Sequence, residues 1–289
     1  CFNALRTNDN NAVGQATNLI KQLSKNENAV SVLIIIIQQN EDPFIRFQAS
    51  IAIKYCFRGI NDESFNPENL INTLLQILAN ETENLIRAYL AHVIGETLIK
   101  KPTIPLAINF AHSALQSGQQ IQIHSAIQLL EYLIGKYQNN DDQLAQFVEQ
   151  LSLAAINFNN IQITLDPFEF YFGFTNEHHN IPSETSNNLW SMMISLLDKY
   201  VDDSQNFWSL AKIIGDCVDS DAVYADVEPL LPICFQLLTR DDLDHLQNHV
   251  IYMLDAIIIN FPDQVLSKNM VIPIFQRYFQ ITLKDYMPN

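Results

Sequence analysis

"EDPFIRFQASIAIKYCFRGI", residues 41–60, opens with an acid–proline pair that can start a helix, then sets apolar and small residues on a helical period. About 40 residues on, "ETENLIRAYLAHVIGETLIK", residues 81–100, is a close relative of it. A chain of 289 residues could hold two ordinary domains or one long repeat array, so internal similarity has to choose. Four glycines extend the pattern: Gly95 in VIGE, Gly135 in LIGK, Gly173 in YFGF and Gly215 in IIGD, at steps of 40, 38 and 42 residues.

Repeats of about 40 to 47 residues with two helices each are the signature of HEAT or armadillo arrays, and 289 residues hold about seven such units. The apolar residues follow the 3.6-residue period. Ile86, Tyr89, Leu90, Val93, Ile94 and Leu98 trace one stripe, and Ile123, Ala126, Ile127, Leu130, Ile134 and Tyr137 trace another. Leu246, Val250, Met253, Leu254, Ile257 and Ile258 give a third, and no comparable alternating run occurs. Asp42 before Pro43 and Asn66 before Pro67 read as helix starts, while Pro102, Pro182 and Pro262 fall between periodic stretches. The spacing predicts helix pairs at 11–25 with 28–39, 43–59 with 67–80, 83–100 with 104–117, and 120–137 with 141–158. Three more follow at 161–178 with 184–200, 204–218 with 223–239, and 242–260 with 266–284. The expected fold is an all-α HEAT-repeat solenoid over 1–289, a superhelix of about seven antiparallel helix pairs without a dividing linker.

Apolar residues make up 48% and charged residues 17%, enough to build a core and far from the composition of disorder. The longest aliphatic run, Val32 to Ile37, is too short for a bilayer span, so no membrane insertion is expected. No secretory signal is read near Cys1, and the residues that would precede it are expected to be missing. The four cysteines have no C-x-x-C spacing, which suits a reducing compartment. A net charge of −16, from 32 acids against 16 Lys and Arg, argues against direct nucleic-acid binding and for basic protein partners.

Constellations for catalysis are weak. His245 and His249 in HLQNH have the four-residue spacing of a zinc-protease helix, but Leu246 stands where the general base would be. The favoured reading is that Asp241, Asp242 and Asp244 complement a helix start and the histidines face water or the next helix. Asp141-Asp142, Asp202-Asp203 and Asp241-Asp242 also read as caps, because none completes the D-D-x-x-D of a magnesium-dependent helical enzyme. His178 and His179 beside Glu177 read as surface, and Trp190, Phe207 and Trp208 as solenoid core in preference to an interface groove. Small residues Ala49, Ala91 and Ala126 let helices approach, and Arg46 and Arg87 are expected to tie to acids of the adjacent repeat. No enzyme activity, metal or cofactor is expected.

The segment from Ala4 to Tyr55 resembles the N-terminal segment of importin-β (karyopherin-β) transport receptors. That pattern has an Ala in the first helix, an apolar second helix, a polar turn, then apolar-Arg-x-x-Ala-x-x-x-x-Lys; Ala16, Ile45, Arg46, Ala49 and Lys54 occupy those places. The family often ends it with Trp after the Lys, whereas Cys56 and Phe57 stand here. Residues 187–257, from NNLWSMM to MLDAI, and NEHHN at 176–180 are similar to the importin-4 and importin-5 branch. The resemblance implies a receptor that moves between cytoplasm and nucleus, contacts nuclear pore proteins, carries protein cargo and releases it when Ran loaded with GTP binds the N-terminal repeats. It also implies that the second helices of the first repeats line the inner face and touch Ran, with Asn69, Asn72, Gln76, Asn109, His112 and Gln116 as the polar positions. An acidic inner surface would suit a basic cargo segment. Because family receptors are much longer, the chain is expected to be an N-terminal fragment or a truncated gene model. Two rivals stand beside this reading: a HEAT scaffold or adaptor without Ran binding (a phosphatase regulatory subunit, vesicle coat or assembly factor), and a helical magnesium-dependent enzyme.

Overall fold

A computed structural model of the chain describes residues 2–7, 9–23, 27–59, 68–100, 103–134, 141–158, 160, 164, 183–219, 227–267 and 271–286. The described residues form fourteen α-helices and two 3-10 turns, with no strand among them. The chain is therefore all-α, and it divides into two compact units, Cys1–Ala155 and Ile156–Asn289.

The first unit holds α1 (Asn10–Leu23), α2 (Glu27–Gln39), α3 (Pro43–Gly59), α4 (Glu68–Asn80), α5 (Asn84–Lys100), α6 (Ile104–Ser117), α7 (Gln120–Ile134) and α8 (Asp141–Ala155). Odd-numbered helices are the first helix of a repeat and even-numbered ones the second. First helices stack on one another in the order α1, α3, α5, α7, and second helices in the order α2, α4, α6, α8. Helices α2, α4 and α6 also pack on the first helix of the following repeat, across the short turns at 40–42, 81–83 and 118–119. The periodic stripes explain this arrangement. Ile71, Leu74, Leu75, Ile77 and Leu78 bury one side of α4, and Ile86, Leu90, Val93, Ile94 and Leu98 one side of α5. Ala49, Ala91 and Ala126 are buried, as close helix approach requires.

Local sequence sets the ends. Asp42 Oδ1 accepts the Phe44 amide at 3.0 Å, capping α3 behind Pro43, and also pairs with Arg6. Desolvation pushes the Asp42 carboxyl up, but the Arg6 and amide bonds outweigh it and hold the group below its ordinary pKa. Gly118 ends α6 at φ 61°, a left-handed conformation that a side chain would strain, and its amide bonds to Ala114 O.

The second unit holds α9 (Ser183–Lys199), α10 (Ser204–Asp219), α11 (Leu230–Thr239), α12 (Gln247–Asn260), α13 (Pro262–Ser267) and α14 (Val271–Tyr286). Helices α10 and α12 stack as first helices do, α9 leads into α10 through 200–203, and Arg277 of α14 donates to Leu238 O of α11 at 2.6 Å. Asp203 caps α10 by accepting the Asn206 amide at 3.1 Å.

Three predicted helices differ. The one expected at 242–260 begins as a 3-10 turn, Asp241–Leu246, with Leu243 off helical geometry at φ −110°, and becomes α-helical only at Gln247. The one expected at 266–284 is described as two, with Pro262 opening the first at the position where its missing N–H costs least. The one expected at 223–239 runs only from Leu230, after a turn at 228–229. Apart from Thr164, the predicted helix 161–178 lies outside the described residues, as do Asn66, Pro67, Pro102, Pro182, Gly135, Gly173, Glu177, His178 and His179.

The glycines that mark the repeat also shape it. A Cβ built on Gly95 of α5 would lie 2.3 Å from the ring of Tyr132 on α7, and one on Gly215 of α10 would lie 2.4 Å from the ring of Tyr252 on α12. In each unit a tyrosine of the following first helix is seated where a side chain is missing. Gly→Ala inside a helix ordinarily gains about 1 kcal/mol. Here overpacking reverses the sign: Gly95→Ala is expected to cost roughly 1–3 kcal/mol in urea unfolding of the full chain. Tyr132→Leu in the same chain should recover part of that loss, because the two positions share one contact.

Candidate protein-binding face

Arg46, near the start of α3, bridges two successive turns. Its Nε and Nη2 donate to the two carboxylate oxygens of Glu81 at 3.2 and 2.9 Å, and Nη1 donates to the carbonyls of Asn40 and Glu41 at 3.1 and 3.3 Å. Only 13% of the Arg46 side chain and 5% of that of Glu81 reach solvent, so the pair is one that Arg's planar fork suits. Glu81 is used from both ends: Oε1 also accepts the Glu83 amide at 3.0 Å, and its main-chain carbonyl accepts Arg87 Nη1 at 3.0 Å.

Arg87 repeats the geometry one unit on, but with a different partner from the one expected. It donates to Thr82 O at 2.7 Å, and its Nη2 lies 3.0 Å from Nδ1 of buried His124 on α7. A guanidinium has only donors, so the imidazole nitrogen accepts. The expectation of an acid holds for Arg46, while Arg87 reaches two carbonyls, Asn84 and, on α7, an imidazole. Ser125 Oγ adds a bond to Leu78 O at 2.8 Å, and Gln128 joins Asn84 Oδ1 at 2.9 Å. Lys54, the last residue of the motif, ties α3 to α5 by lying 2.5 Å from His92 Nε2 and 3.3 Å from Glu96. Glu81, His92, Glu96 and His124 were not singled out by the sequence; their signal is their distance of 35 to 42 residues from a basic residue, one repeat on.

The six residues expected to touch a partner all lie exposed, Asn69, Asn72 and Gln76 on α4 and Asn109, His112 and Gln116 on α6. Both triplets have the same three- and four-residue spacing, so each makes one stripe on its helix, opposite the buried stripe. Helices α4 and α6 are neighbours, which places the two stripes on adjacent second helices. Gln76 also lines a cleft of about 530 Å3, together with Gln38, Asn40, Arg46, Asn80 and Glu81. Among the second helices, α2, α4 and α6 carry no Asp, Glu, Lys or Arg beyond Glu27 and Glu68 at their first positions, whereas α8 carries Asp141, Asp142 and Glu149.

In the second unit Trp190 and Phe207 are core, as expected, whereas Trp208 is 37% exposed. It lies 4.9 Å from the His249 ring and 5.4 Å from that of Tyr252, whose hydroxyl donates to Asp216 at 2.7 Å. His245 and His249 do not share one α-helix, since the 3-10 turn holds the first and α12 the second. Burial, then the neighbouring His245, lowers the His249 pKa. Asp242 pairs with Arg240 at 2.6 Å. Among the described residues no three His, Cys, Asp or Glu side chains gather as a metal site, and no helix is long and apolar enough to cross a membrane.

Removing one partner of a buried pair strands the other, so Arg46→Met or Glu81→Ala is expected to cost about 3–5 kcal/mol in chemical unfolding. The double variant Arg46→Met/Glu81→Leu should lose less than the sum of the two singles.

Comparison of the whole chain with curated proteins and with solved structures gives no match. Residues 16–96, which run from Ala16 of α1 to Glu96 of α5 and include the Arg46–Glu81 pair, match the family model described as the importin-beta N-terminal domain.

Proposed function

We propose that this chain provides the Ran-binding repeats of a nuclear transport receptor. It takes up Ran in its GTP form on the second helices α4 and α6, carries protein cargo through contacts with nuclear pore proteins, and exchanges between cytoplasm and nucleus. The observation that carries this reading is the match of residues 16–96 to the importin-beta N-terminal domain, whose family role is to bind Ran-GTP. The described arrangement supports it, because stacked helix pairs offer an open face for another protein. Binding needs no covalent step, and cargo and Ran would oppose each other reciprocally through a coupling free energy. The net charge of −16 favours encounter with basic cargo, at places other than the uncharged face of α2, α4 and α6. Membership of the importin-4 and importin-5 branch is part of the proposal on residues 187–257 alone. So is the continuation of one repeat grammar through 1–289, which rests on the glycine–tyrosine seat present in both units.

The test is a pull-down of the chain with Ran locked in the GTP or the GDP state. Capture selective for the GTP state is the expected outcome. Capture in neither state, from a chain shown by circular dichroism to be helical, would replace this reading with that of a HEAT scaffold that does not bind Ran.

A further inference from the structure

The chain carries 48 charged residues among 289, yet the 40 residues of α2, α4 and α6 hold two, both at helix starts. At the chain's average of 17% they would hold about seven. The deficit is shared neither by the first helices of the same unit, which carry Lys21, Arg46, Lys54, Arg87, Glu96 and Glu131, nor by the last second helix, α8, which carries Asp141, Asp142 and Glu149. Solvent-facing helix positions ordinarily draw Lys and Glu, because they favour solubility and cost no helix propensity. Here the same positions are held mainly by amides and serines, and on α2 the exposed Val32 and Ile35 stand beside Gln38 and Gln39. A surface that lacks charge and shows aliphatic side chains is better suited to being covered than to remaining in water. At the ends of α2 and α4 the face gives way to the cleft that includes Gln76, where Glu41, Arg46 and Glu81 bring charge back.

We infer that the α4–α6 face, on the reading proposed above, recognises the GTP-loaded GTPase through uncharged hydrogen bonds, so that the matching patch of the partner is itself uncharged. Each primary amide offers two donors and an acceptor oxygen, so Asn72, Gln76, Asn109 and Gln116 can meet main-chain or hydroxyl groups of either polarity. Such contacts leave no unpaired ion behind when water is expelled. A charge of either sign placed here would lose its hydration without gaining a partner, whereas a charged partner patch would reward one sign and penalise the other.

That contrast is the test. Full-length chain is titrated with Ran carrying a non-hydrolysable GTP analogue, comparing Asn72→Asp with Asn72→Lys and Asn109→Asp with Asn109→Lys, all at exposed helix positions and checked for helicity. Both signs are expected to weaken binding, by about tenfold or more at each position. Tightening by either Asp or Lys would overturn the inference by revealing a charged partner patch. Indifference to both signs would overturn it by showing that the partner sits elsewhere. No binding by the unsubstituted chain would instead remove the transport-receptor reading, and the inference with it.

Discussion

The Arg46–Glu81 pair is the constraint on which the first unit turns. An apolar stripe alone lets one helix slide along its neighbour by a turn with little penalty, because one leucine replaces another. A guanidinium fork does not allow this, since its donors must meet two carboxylate oxygens and two carbonyls at fixed angles. Arg46 therefore locks the turn at 40–42 to the turn at 81–83, and Glu81 passes the lock onward by offering its own carbonyl to Arg87. The chain of bonds reaches His124 of α7, so three successive first helices are held in register by two arginines.

Steric seats complete what the arginines begin. At the other end of the same helices Gly95 opens a place for Tyr132, and Gly215 does so for Tyr252 in the second unit. Between α5 and α7 polar bonds fix one end and a ring in a hollow fixes the other, while the apolar stripe supplies most of the burial in between. The consequence is a division of labour between the two helices of a repeat. First helices spend their charged and aromatic groups on each other, as Lys54, His92 and Glu96 do, while α4 and α6 present a stripe of exposed polar residues.

Helix positions were legible in the sequence because burial imposes a 3.6-residue period wherever one face of a helix is covered. The stripe through Ile86, Leu90 and Leu98 shows that period directly. It failed where backbone geometry departs without a change in hydrophobicity: Leu243 and Leu246 are buried, as in a helix, yet they lie in a 3-10 turn. That turn is also why His245 and His249, four apart in sequence, do not share a helix face. Gly95 was visible as a marker, but its purpose depends on Tyr132, 37 residues away, and no local pattern connects them. His124 was missed for the same reason: a buried histidine within IQIHSAIQ reads as part of an apolar stripe until Arg87 is seen beside it.

The placement of the candidate face was legible only in part, since exposure follows from the buried stripe but the meaning of an exposed residue does not. What separates α4 and α6 from the rest of the surface is a property of the set and not of any one position. Asn72 alone is unremarked polar surface. Three helices of 40 residues that carry charge only at Glu27 and Glu68, within a chain of net −16, are a pattern that solubility would not produce. The two features also act at different distances. The field of the whole acidic chain reaches about a Debye length, roughly 8 Å at physiological salt, and biases which partners approach. Contact on the uncharged face begins only when water is expelled, and there shape and hydrogen-bond direction decide which partner remains.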